Sequence, residues 1–119
     1  MIGAGVVLAA TLAAWPEPWE THDYVLEGVF VGLSLLDLGQ TSAALSAGAA
    51  ENNPVLGPHP SNVKLVGYFS VWIVGHAAVT WLLPRPWREV WLGMGIGCEA
   101  AVVLDGAWNR GRFVLRVPW

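Results

Sequence analysis

Asp37, His76 and Glu99 each sit near the middle of an apolar stretch long enough to cross a membrane. An ionisable side chain at bilayer depth is costly, so it persists only where it is paired, solvated or used. In hydrocarbon the backbone must also satisfy its own hydrogen bonds. Together these constraints call for a bundle of helices that turns a polar face inward.

Composition supports that environment. Of 119 residues, 55% are hydrophobic and only 13% are charged. A soluble domain carries about 25% charge, so too little is present here to cover a water-facing surface. The length admits one domain, residues 1–119. A net charge of −3 is too small for a charge-driven partner, and the six Lys and Arg are scattered, which argues against nucleic acid. Cys98 is the only cysteine, so no intrachain disulfide forms, and it reads as a small hydrophobe. Trp15, Trp19, Trp81, Trp87, Trp91 and Trp108 lie near the ends of apolar runs, as an interfacial belt requires.

The expected fold is all-α, a small polytopic transmembrane helix bundle with three long spans and a shorter N-terminal helix. The helices are expected at about 2–15, 24–47, 61–83 and 89–108, with a tail from 109 to 119. The first segment ends at Pro16 and Pro18. It lacks a basic residue before the apolar run and a small-x-small cleavage site, so it reads as an uncleaved helix, tilted or partly inserted. Glu17 to Asp23 reads as an acidic connector. Pro54, Pro58 and Pro60 make 50–61 a rigid loop, with Ser61 as the cap of the next helix. Pro84 to Arg88 reads as a tight hairpin. Arg110, Arg112 and Arg116 place the tail in the cytoplasm of a multi-pass inner-membrane protein, although Arg85 and Arg88 count the other way.

The polar positions fall on helix faces. Glu27, Ser34, Asp37, Thr41, Gly48 and Glu51 recur at three-, four- or seven-residue steps, with Gln40 alongside. Phe69, Trp72, His76 and Thr80 share a face of the second long span, and Gly95, Glu99 and Gly106 mark the third. Counted from the outer ends, Asp37, Glu99 and His76 lie at about 20, 15 and 11 Å depth, close enough to share a layer. The expected ligand- or proton-binding set is therefore Asp37, Gln40, Thr41, His76 and Glu99. An imidazole between carboxylates relays a proton or holds a divalent metal, and Asp37, His76 and Glu99 are the candidate metal ligands. No HExxH signature is present. The competing role is helix-to-helix hydrogen bonding, worth about 0.6 kcal/mol per bond.

Other positions read more plainly. Glu27 is expected near the outer interface, snorkelling, and Asp105 on a separate face. Glu51 and Asn53 form a helix stop rather than a polar lid, and His59 is a solvated loop histidine. Gly93, Gly97 and Ala101 form a small-residue ridge for helix contact inside the bundle or between protomers.

Asp37-x-x-Gln40-Thr41 followed by Glu51-x-Asn53-Pro54-x-x-Gly57 resembles an uncharacterised family of small bacterial and prophage-encoded membrane proteins. The resemblance covers Asp37 to Ser61, with His76 and Glu99 as later polar positions. It implies a membrane topology and a bacterial or phage origin, and it brings no activity, ligand or catalytic residue.

The leading expectation is a buried polar site that binds a proton, a metal ion or a small polar ligand. The alternatives are an accessory membrane subunit, or a phage-encoded host-membrane modulator of lysis or exclusion type. An intramembrane enzyme is disfavoured, because Ser34, Thr41 and Thr80 have no readable base beside them. Four short helices bury little surface, which favours a homo-oligomer or a larger complex in the lipid bilayer.

Overall fold

The computed structural model describes residues 3–4, 15–51 and 53–108, and these are helical or in connecting turns. Three helices form a small bundle: α1 (Thr21–Ser46), α2 (Asn62–Leu82) and α3 (Trp87–Trp108). The helix expected over 2–15 and the tail 109–119 fall almost wholly outside the described residues. At about 1.5 Å per residue each helix exceeds the ~30 Å of a bilayer's hydrocarbon core. All three are also apolar enough to cross a membrane.

The ends explain the boundaries. α1 begins three residues ahead of the expected Tyr24, because the acidic connector supplies its first turn. Asp23 accepts a hydrogen bond from the Glu20 N–H at 2.8 Å. The other end of α1 closes in a Schellman arrangement. Gly48 takes φ +91°, and the N–H groups of Gly48 and Ala49 reach the carbonyls of Leu45 and Ala44. Ser61 caps α2 as expected, its Oγ accepting from Lys64 N–H at 3.1 Å. α3 starts at Trp87 rather than 89, so Trp87 and Arg88 belong to the helix and not to the hairpin.

α1 and α3 run parallel. Asp23 meets Arg88 near one end, and the Gln40 amide donates to the Val103 carbonyl toward the other. α2 runs back between those ends, and α1 shares its largest interface with α3. The buried positions of α1 are Asp23, Glu27, Phe30, Ser34, Asp37, Thr41 and Ala44. Those of α3 are Arg88, Leu92, Gly95, Glu99, Val102 and Gly106. Both sets step by four and three in alternation, the seam of a left-handed helix pair. Residues 65 apart face one another, as Asp23 with Arg88 and Phe30 with Gly95 show.

The seam is inverted relative to a soluble protein. Its buried positions are mostly polar, while Val29, Leu35, Leu36, Val71, Val74, Met94 and Leu104 are exposed. That distribution suits a lipid solvent. Trp15, Trp81, Trp87 and Trp108 are exposed near helix ends. Trp91 departs from the expected belt and turns onto His76. Gly93 and Gly97 face open space, so their ridge makes no contact among the described residues.

The loop after α1 folds back onto the bundle end. Leu56 is buried with Leu65 and Phe69, packed against Leu38, Leu45 and Tyr68. Glu51 N–H donates to the Pro58 carbonyl at 2.9 Å, and Glu51 Oε1 accepts from Asn53 N–H at 3.0 Å. Asn53 caps the turn by accepting from Val55 N–H, and its Nδ2 donates to the Tyr68 hydroxyl at 2.8 Å. The expected helix stop is thus corrected for Asn53. Backbone N–H groups satisfy the last α1 carbonyls, and this side chain ties the loop to α2. His59 is exposed, in keeping with a solvated loop histidine.

Candidate functional site

His76 is the centre of the polar interior. It is fully buried on α2, with its ring stacked 3.6 Å from Phe30 at 13° and 4.9 Å from Trp91 at 24°. Trp72, one turn before it, meets the imidazole edge-on. Two aromatic faces fix the ring plane and leave its nitrogens in the bundle. Nδ1 lies 2.9 and 3.0 Å from the two carboxylate oxygens of Glu27 on α1. Nε2 has no hydrogen-bond partner among the described residues and packs against Gly95 of α3. A proton on Nε2 would have no acceptor, so the geometry fits the tautomer in which Nδ1–H donates to Glu27.

Thr80 completes the arrangement. Its hydroxyl lies 2.9 Å from Glu27 Oε2 and 2.9 Å from the His76 carbonyl. One proton serves one acceptor at a time, so this hydroxyl has two stable settings. Glu27 is 6% exposed, which overturns its expected place at the interface. Heptad position puts it in the seam, and Thr80 and His76 supply the donors that hold it there.

The three residues that marked the sequence all face the interior: Asp37 is 6% exposed, His76 0% and Glu99 1%. They are strung along it rather than gathered. His76 takes Glu27 as its carboxylate, Glu99 accepts from Trp72 Nε1 at 2.8 Å, and Asp37 accepts from Thr41 Oγ1 at 3.2 Å. Among the described residues no group of three or more His, Cys, Asp or Glu is placed to hold a metal ion. The metal reading of Asp37, His76 and Glu99 is therefore corrected. Each comes from a different helix, and the antiparallel course of α2 brings His76 to the level of Glu27.

A second polar centre closes one end of the bundle. Arg88 is fully buried at the start of α3. Its Nε donates to the carbonyls of Thr80 and Leu83 at 2.9 and 3.1 Å, and its terminal nitrogens reach Glu17 O at 2.7 Å and Pro18 O at 3.3 Å. It thereby caps α2, whose final carbonyls have no helical donors, and holds the connector before α1. Asp23, 3.4 Å away, supplies the counter-charge. Arg85 pairs with Asp23 and Glu89 nearby. Partial desolvation pulls the Arg85 guanidinium down, but the hydrogen bonds and charges of Glu89 and Asp23 outweigh it and hold its pKa above the usual value.

No family model matches the chain, and no curated protein or solved structure matches it.

Proposed function

We propose that this chain is a multi-pass integral membrane protein whose interior binds and exchanges a proton at Glu27. The observation that carries this reading is the equal 2.9 Å reach of the Thr80 hydroxyl to Glu27 Oε2 and to the His76 carbonyl. With Glu27 ionised, Thr80 O–H and His76 Nδ1–H both donate to the carboxylate. With Oε2 protonated, that oxygen donates to Thr80 Oγ, and the Thr80 proton turns to the His76 carbonyl. Either state satisfies each of these groups without moving a heavy atom, so proton uptake carries little reorganisation cost. His76, clamped between Phe30 and Trp91, positions the carboxyl through both changes.

Infrared difference spectra of the protein in lipid, recorded against pH, test this reading. A protonated-carboxyl band that titrates in the wild type and vanishes in Glu27→Gln is the expected result. An identical carboxyl titration in the two proteins would overturn it.

A second reading has its own support. Trp72–Glu99, Gln40–Val103 and Glu27–His76 each tie two different helices, as polar residues acting only in assembly would. Under that reading Thr80→Val disturbs stability and leaves the carboxyl spectrum without a pH-dependent band to change.

A further inference from the structure

We propose that residues 5–14, which lie outside the described residues, dock as a fourth helix in the groove between α2 and α3, with Leu8 and Leu12 directed into it. The groove is lined by Tyr68, Trp72, Gly75, His76 and Val79 of α2 and by Trp91 of α3. It holds about 360 Å³, within the range of sites that take a partner rather than that of packing defects. Its walls are mainly apolar and aromatic, and Gly75 at its middle leaves open space where a side chain would stand.

Two anchors set where the chain before α1 must run. Trp15 Nε1 donates to the Leu82 carbonyl at 2.8 Å, which ties the end of the segment to the last turn of α2. Arg88 holds the carbonyls of Glu17 and Pro18 at 2.7 and 3.3 Å, so the connector passes over the start of α3 before it enters α1. A helix running back from Trp15 along the bundle therefore lies beside α2 and α3. The sequence fits the groove in register. Leu8, Leu12 and Trp15 step by four and three and share one helical stripe. Gly75, Val79 and Leu82 repeat those steps on α2. The 67-residue offset of the Trp15–Leu82 bond sets Leu12 level with Val79 and Leu8 level with Gly75. Residues 5–14 carry no charge and make about 15 Å of helix, enough to reach the level of Trp72. Gly3 and Ala4, beyond that level, are exposed. Tethered at the end of the groove, the segment has an effective concentration there that a separate chain lacks. Its docking completes an up-down-up-down bundle of four helices and sets protein rather than lipid against the His76 wall. The contact does not depend on proton exchange at Glu27.

Disulfide trapping in native membranes tests the proposal, on a Cys98→Ala background that removes the only native thiol. Leu8→Cys with Gly75→Cys, and Leu12→Cys with Val79→Cys, should each close an intrachain disulfide under mild oxidation. Leu8→Cys with Val74→Cys is the control, since Val74 lies at nearly the same depth but is exposed and turned about 100° away. The groove pairs should react at least about tenfold faster than the control. Should one pair fail to assemble, the other decides. Nuclear Overhauser effects between the methyl groups of Leu12 and Val79 report the contact in the wild type without any variant. Equal rates for groove and control pairs would overturn the proposal, as would the absence of the Leu12–Val79 effect. Disulfides that join two chains would make a second copy the occupant and overturn it as well. None of these results bears on the carboxyl band assigned to Glu27.

Discussion

Gly95 on α3 gives the His76 imidazole the space that any other residue would fill. A Cβ built on Gly95 overlaps Nε2 and comes within 3.2 Å of Phe30 Cδ2. The ring cannot retreat, because Phe30 and Trp91 hold both faces and Glu27 holds Nδ1. Gly95→Ala should therefore destabilise the bundle by about 1–3 kcal/mol, the usual cost of overpacking. The same change at Gly39, which faces open space on α1, should be neutral or stabilising by up to about 1 kcal/mol through helix propensity. Unfolding of the two variants in mixed micelles checks the contrast, and equal effects would refute the packing argument.

Arg88 should be the least replaceable charge in the chain. Arg88→Met leaves Asp23 without its buried partner and strands the carbonyls of Thr80, Leu83 and Glu17. Breaking a buried pair by removing one partner costs about 3–5 kcal/mol. Arg88→Lys should recover little, since an ammonium cannot reach several divergent carbonyls as a planar guanidinium does. Arg85→Ala, at a more exposed position, should have a smaller effect that shrinks further with added salt. Denaturant titrations at low and high salt separate the two arginines.

Much of this architecture is readable from spacing alone. Every ionisable residue that interrupts the apolar spans at mid-depth proves to face inward, because lipid leaves it no other direction. Ser61 caps α2 where its chemistry requires. The pairing within the interior is a different matter. Nothing local to Glu27 distinguishes a snorkelling carboxylate from a buried one. Its partners lie 49 and 53 residues away and are delivered by the antiparallel course of α2. Arg88 was hidden in the same way, since a basic residue beside prolines reads as a surface turn until the connector at Glu17 folds over it. The four-three alternation at Asp23, Glu27, Phe30 and Ser34 was the one signal that could have placed Glu27 inside.

The tie between Asn53 and Tyr68 should fix the loop to the bundle. Tyr68→Phe removes only the hydroxyl that accepts from Asn53 Nδ2 and should cost about 1 kcal/mol. Asn53→Ala also removes the cap on Val55 N–H and should cost about 1 kcal/mol more than that. In a double-mutant cycle the two losses should not add, because they share one bond. Full additivity, measured by the same unfolding assay, would mean that the bond contributes nothing to loop docking.

Trp72 and Glu99 should prove coupled through a single hydrogen bond that joins α2 to α3. The indole N–H lies 2.8 Å from Glu99 Oε1, with Trp72 packed edge-on against both Phe30 and His76. Trp72→Phe keeps an aromatic edge at that place but removes the donor, and a hydrogen bond to a charged group contributes about 1.5–3 kcal/mol. Glu99→Gln retains an acceptor oxygen for the indole and should cost less than half as much. Glu99→Leu removes the acceptor, and the Trp72 indole proton resonance should move upfield in that variant and stay nearly in place in Glu99→Gln. If Gln and Leu at this position shift the resonance equally, the indole is not bonded to residue 99 in the folded protein. The α2–α3 contact would then rest on Trp91 and Gly95 around His76 and on Arg88 at the Thr80 carbonyl.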